Sequence, residues 1–129
     1  VSNFGNYDAP ATGISIGLDR LVYALMQKKE FELNQSRPII ICVFDKSLMK
    51  YYIDLQKILR SANISTEIYP GENKLKKQME YANKIKSPAV ILYGENEIKI
   101  GKPTLRELRS GEEKSIKIED LVNEIQKII

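Results

Sequence analysis

The spacing of hydrophobic and polar positions along the chain changes several times, and each change predicts a different element. Residues 1–11 (VSNFGNYDAPA) are rich in Gly, Asn, Asp and Pro and predict a loop. Thr12 to Ile16 predict a short strand. From Gly17 the pattern turns helical: Leu18, Leu21, Val22, Leu25 and Met26 fall at i, i+3, i+4, i+7 and i+8, which makes one wide apolar stripe. The stretch from Lys28 to Pro38 is polar and ends in a proline that stops any helix. A linker is therefore expected there, over residues 30–36, between a first segment of residues 1–29 and a domain of residues 37–129.

Beyond the linker, Ile39 to Phe44 is a continuous apolar run, as expected of a strand buried on both faces. Asp45 is placed to cap the helix that follows, in which Leu48, Tyr52, Leu55, Ile58 and Leu59 recur at helical spacing. Asn63 suits the left-handed conformation at that helix's C-terminal turn. Ile64 to Tyr69 predict a second strand, broken by Pro70-Gly71, and residues 73–86 a second helix with Leu75, Met79, Ala82 and Ile85 inward. Ala89 to Tyr93 predict a third buried strand. Three strands joined by two helices through short connections imply a parallel sheet. After Gly94 a polar turn (Glu95 to Gly101) leads to strands near Lys102–Glu107 and Lys114–Ile118, joined by a hairpin turn at Arg109-Ser110-Gly111-Glu112. Glu119 to Ile129 close as a helix with Leu121, Ile125 and Ile128 inward. The fold class is α/β: a five-stranded mixed sheet, three parallel strands plus an antiparallel pair, flanked by helices and preceded by a short strand-helix segment.

Composition narrows the chemistry. A hydrophobic share of 43% in 129 residues supports one real core. There is no histidine, which removes histidine-based catalysis and the commonest zinc ligand. The single cysteine, Cys42, lies within the apolar run and is expected to be a buried core residue, so a reducing compartment is the default. No apolar run approaches the length of a membrane span, and a cytoplasmic protein is expected. The net charge of +3 is too small to argue for nucleic acid, but the positive charge is segregated between residues 74 and 109.

Two basic clusters stand out. Lys74, Lys76, Lys77, Lys84 and Lys86 crowd the second helix. Lys74, Lys77, Tyr81 and Lys84 share one face of it, a basic face with an aromatic that suits an RNA backbone and a splayed base. The plain alternative is a solvated lysine face. Lys99, Lys102, Arg106 and Arg109 follow the predicted fourth strand, where they bind a polyanion or simply guard a sheet edge. Near the N-terminus, Gly17 ahead of a helix and Arg20 one turn into it can approach and clamp a phosphate, or be ordinary turn chemistry and a solvated charge. A doubly wound small-ligand binder would need a glycine-rich turn after Phe44, where Asp45-Lys46-Ser47 supplies none.

These segments lie in an order that resembles class II aminoacyl-tRNA synthetases of the histidyl type. Pro10-Ala11-Thr12-Gly13-Ile14-Ser15-Ile16-Gly17-Leu18-Asp19-Arg20-Leu21 is similar to the third class II motif. Gly5-Asn6-Tyr7-Asp8 resembles part of the Gly-Gly-Arg-Tyr-Asp signature, with Asn6 standing where that signature has arginine. The blocks Lys74–Ala82, Ala89–Glu97 and Thr104–Glu113 are similar to the anticodon-binding domain of that family. The resemblance implies that Arg20 contacts ATP phosphates with Gly17 beside the nucleotide, and that Tyr7 and Asp8 line a histidine pocket. It implies further that Lys74, Lys76, Lys77, Tyr81, Lys84, Lys99, Lys102 and Arg106 meet the anticodon stem-loop of tRNA(His). The full-length enzyme would be a homodimer that ligates histidine to tRNA(His) with ATP and Mg2+. This chain alone lacks the first two class II motifs and is expected to need no cofactor and to be inactive in aminoacylation. The competing expectation is a free-standing or regulatory synthetase-like module that binds tRNA or a protein partner without catalysis.

Overall fold

The computed structural model of the chain describes residues 13–27, 37–71 and 74–129. The chain divides into two compact units, Val1–Asn34 and Gln35–Ile129.

In the first unit, the described residues form helix α1 (Leu18–Met26), preceded by non-regular backbone from Gly13 to Gly17. The strand expected over Thr12–Ile16 is not formed at its described positions. A strand needs a hydrogen-bonded neighbour; among the described residues none pairs with this segment, and Ile14 is 92% exposed. The apolar stripe of α1 is present, with Leu18, Leu21, Val22 and Met26 all exposed on it.

The second unit is an α/β layer structure. Strands β1 (Ile39–Cys42), β2 (Thr66–Ile68), β3 (Ala89–Leu92), β4 (Thr104–Glu107) and β5 (Glu113–Ser115) form one sheet in the order β2-β1-β3-β4-β5. β1 pairs in parallel with β2 and β3, whereas β4 pairs antiparallel with β3 and β5. Helices α2 (Met49–Ser61), α3 (Leu75–Lys84), α4 (Glu95–Ile100) and α5 (Ile118–Gln126) complete the unit.

The run Ile39-Ile40-Ile41-Cys42 is wholly buried because its two faces serve two different cores. Ile39, Ile41 and Val43 pack with Ile91, with Tyr52, Leu55 and Leu59 of α2, and with Leu121 and Ile125 of α5. Ile40, Cys42 and Val90 point the other way, toward Ala82 of α3. Alternation along a strand thus places α2 and α5 on one face and α3 on the other. Asp45 caps as expected, its Oδ1 accepting the Ser47 N–H at 2.7 Å at the head of a short 3-10 turn, Lys46–Leu48, that leads into α2. Asn63 ends α2 in the left-handed region at φ 59°.

Four details depart from the expected pattern. Ile58 is 43% exposed, so the inward stripe of α2 is narrower than its apolar positions suggest. Gln78, not an apolar residue, is one of the most buried side chains of α3. The polar segment after Gly94 is helix α4 rather than a turn. Its head is supported by the Glu97 carboxylate, which accepts the Gly94 N–H at 3.0 Å, and Gly101 ends it in the left-handed region at φ 70°. Finally, β4 is interior: the edge that Lys102 and Arg106 were expected to guard is formed by β5.

Candidate nucleic-acid interface

Helix α3 packs over β1 and β3, and on the same face of the sheet Glu113 and Ser115 of β5 are exposed. Register sets what that face displays. Leu105 points into the α2/α5 core, so Thr104 and Arg106 point to the α3 side, opposite Ser115 and Glu113 of β5. Arg106 Nη1 donates to Glu113 Oε1 at 2.9 Å in a pair of which the side chains are 40% and 48% exposed. Such a partly exposed pair contributes little to stability, but it joins the two strands on the α3 side.

The basic positions of α3 divide into two flanks. Tyr81 Oη donates to Glu67 Oε1 on β2 at 2.6 Å, and its ring meets Tyr69 edge-on at 5.4 Å. The hydrogen bond to Glu67 raises the Tyr81 pKa above the ordinary phenol value. That flank therefore turns toward β2, and Lys77 and Lys84, four residues before and three after, belong to it. Asn83 and Lys86 instead line a hollow of about 300 Å³ with Leu108 and Arg109, on the side of β4. Lys76 precedes Asn83 by seven residues, two helical turns, and belongs to this second flank. The shared face expected for Lys74, Lys77, Tyr81 and Lys84 is thus real as a helical stripe, but its aromatic is already engaged with β2.

The remaining expected residues are more scattered. Lys74 is the N-cap residue of α3, and Lys74, Lys76, Lys77 and Lys84 are all exposed. Lys99 sits exposed in the last turn of α4. Lys102 lines a separate hollow of about 550 Å³ with Lys114, Lys117 and Lys127, on the α5 side of the sheet. Arg20 is exposed in α1, its side chain lying back along Gly17, where an added Cβ would meet Arg20 Cδ at 3.8 Å. Gly17 has φ −73° and ψ 101°, a conformation open to any residue. Its use to a ligand would lie in its small size and not in its backbone. Tyr7 and Asp8 lie outside the described residues.

Two residues that position this surface escaped the reading of the sequence. Gln78 binds Val43 through both ends of its amide, accepting the Val43 N–H at 2.8 Å and donating to the Val43 carbonyl at 2.6 Å. A signal existed: Gln78 falls four residues before Ala82, on the inward stripe. Glu97 was readable too, as an acid three residues after Gly94 at the start of a helix. Gly94 itself is closely packed, since an added Cβ would meet Glu97 Oε2 at 3.0 Å and the Phe44 ring at 3.7 Å. Cys42 is buried and its thiol is pushed up to about 12 by burial, which makes it a core residue and not a nucleophile. Among the described residues no group of three His, Cys, Asp or Glu is placed to hold a metal, and no helix is long and apolar enough to cross a membrane.

Known proteins resemble this chain in sequence and in fold. The model of the anticodon binding domain matches residues 38–128. A histidine–tRNA ligase of Pelagibacter ubique is 42% identical over 134 residues, covering 100% of this chain and 29% of the relative. One from Thermococcus kodakarensis is 37% identical, covering 98% of this chain and 30% of the relative. Among solved structures, the histidyl-tRNA synthetase from Nostoc sp. PCC 7120 superposes with a TM-score of 0.68 at 26% identity, covering 87% of this chain and 28% of that one. The chain spans less than a third of the length of the curated relatives it matches. Its homologues along that length are histidine–tRNA ligases, and the chain belongs to the anticodon-binding domain family.

Proposed function

We propose that residues 37–129 recognise the anticodon stem-loop of tRNA(His) within a histidine–tRNA ligase. The observation that carries this reading is the α3 side of β4 and β5, where Arg106 is paired with Glu113 and both side chains stay partly exposed. Lysines on a helix can meet backbone phosphates wherever they fall, and such contacts position RNA without reading it. Reading needs donors and acceptors in fixed places against base edges. The guanidinium of Arg106, held by Glu113 across β4 and β5, supplies fixed donors on that face. Lys76, Lys77 and Lys84 supply the phosphate contacts, with Lys74 at the head of α3, while Lys99 and Lys102 reach the RNA only if it extends around the β4 end of the sheet.

In the longer enzyme, Arg20 would contact ATP phosphates with Gly17 leaving the helix head uncovered, and Tyr7 with Asp8 would line the histidine pocket. ATP there enters with Mg2+ as a substrate of the ligation, in a cytoplasmic homodimer.

The test is binding of the purified protein to a labelled stem-loop bearing a GUG loop, titrated against salt and against a scrambled loop. Preference for GUG is expected. Equal binding to both loops, or to neither, would overturn anticodon reading.

A further inference from the structure

Arg106 is under two opposed constraints. Its Nε–H is buried and meets no acceptor among the described residues. A buried donor without a partner favours any rearrangement that returns it to water. Against that, Nη1 donates to Glu113 Oε1 at 2.9 Å across the β4–β5 register. Glu113 is the one described side chain that bonds the guanidinium in its observed place.

We infer that Glu113 is a positioning residue, which pins Arg106 so that its remaining Nη donors form a fixed planar fork toward a base edge. This rests on the proposal that the β4–β5 face reads the anticodon loop. On general electrostatic grounds a carboxylate on an RNA-facing surface is unfavourable, because it repels phosphates. Its presence makes sense where orientation matters more than total charge. A guanidinium already held in one rotamer loses little freedom on binding. It then matches two adjacent acceptors lying in one plane, the pattern offered by O6 and N7 of guanine. In the proposed interface a phosphodiester is already served by the exposed lysines of α3. The class of ligand assigned to Arg106 is therefore a guanine edge.

Two measurements on the purified protein test this, and they fail independently. The first needs no RNA: the Arg106 Nε–H resonance in a 15N-edited NMR spectrum. In the parent protein it is expected to be sharp and slow to exchange with solvent. In Glu113→Gln, which keeps the size but loses the charge, exchange should accelerate at least about tenfold as the side chain swings free. Equal protection in both proteins would overturn the pinning. The second is the ratio of affinities for the GUG and scrambled loops. Glu113→Gln should lower that ratio roughly tenfold, toward the ratio of Arg106→Lys, while affinity for the scrambled loop rises because a negative charge is gone. A merely structural role for Glu113 would lower both affinities together. If the parent protein shows no loop preference while the NMR result holds, the anticodon proposal fails and the pinning stands. If the parent discriminates and Glu113→Gln discriminates equally, the positioning role is wrong.

Discussion

Gln78 holds Val43 by two hydrogen bonds, Val43 N–H to Gln78 Oε1 at 2.8 Å and Gln78 Nε2 to the Val43 carbonyl at 2.6 Å, with both residues buried. The amide takes over the ladder where β1 runs out, and so ties α3, with its lysines, to the end of the central strand. Gln78→Leu keeps the bulk but leaves a buried N–H and a buried carbonyl without these partners. The loss is expected to be about 2–4 kcal/mol, counting roughly 1–3 for each orphaned group with partial relaxation. Urea denaturation measures it; a loss below roughly 1 kcal/mol would mean that water replaces the amide. Gln78→Glu should be at least as harmful, because an ionised carboxylate cannot donate to the Val43 carbonyl.

The division of α3 into two flanks gives a second expectation. If RNA lies across the α3 side of β4 and β5, the flank toward β4 is the nearer one. Lys76→Ala with Lys86→Ala should then weaken stem-loop binding more than Lys77→Ala with Lys84→Ala. Each lysine that truly meets a phosphate should also reduce the salt slope, by ~0.7–0.9 per contact. Titrations of the two double variants at several salt concentrations decide this. The opposite ranking would move the RNA to the β2 side of the helix.

How much of this was legible in the sequence follows from what each element depends on. Two of the three parallel strands, β1 and β3, were readable because Ile39–Val43 and Ala89–Ile91 are buried on both faces, which leaves few other uses for such runs. Asp45 and Asn63 were readable because capping chemistry is local. Helix α4 was missed because its Glu-Asn-Glu start is polar and only six residues long, and its one decisive bond, from Gly94 to Glu97, hides in a turn-like composition. The candidate surface was half legible. Lysine spacing along α3 places charges on a helix, but which flank faces which strand depends on Tyr81 reaching Glu67, a tertiary contact. The pairing of Arg106 with Glu113 depends on hairpin register, which a one-residue slip would abolish.

Burial of Cys42 predicts how its thiol behaves. Its pKa is raised from 9.0 to about 12 by desolvation. A raised pKa in the folded state means that the neutral thiol is favoured there. The associated stability is fully present below pH 9 and is lost as pH rises from 9 toward 12. At neutral pH a disulfide-exchange reagent should therefore label Cys42 only through unfolding. Labelling is expected to be complete in denaturing urea and slower by orders of magnitude in its absence. Rapid labelling of the folded protein would show that the second core, between the sheet and α3, opens locally.

Lys86 ends α3 with φ 58°, in the left-handed region where a Cβ is strained and glycine is preferred. The geometry is that of a regular helix stop: Lys86 N–H bonds the Asn83 carbonyl at 3.0 Å and Ser87 N–H bonds the Ala82 carbonyl at 2.9 Å. At the matching position after α2 the chain uses Asn63, which tolerates this conformation better. Lys86→Gly should accordingly stabilise the domain by about 1 kcal/mol, less the extra freedom glycine gives the unfolded chain. That corresponds to a rise in Tm of roughly 4–8 °C for a domain of this size. Lys86→Ala keeps the Cβ and should give no such rise. Both variants remove the ammonium that lines the hollow shared with Arg109, so both should weaken stem-loop binding alike. A gain in stability for glycine alone, with equal loss of binding in the two, would show that the lysine is kept at this strained turn for its charge. Equal melting temperatures for glycine and alanine would show that the left-handed turn carries no appreciable strain.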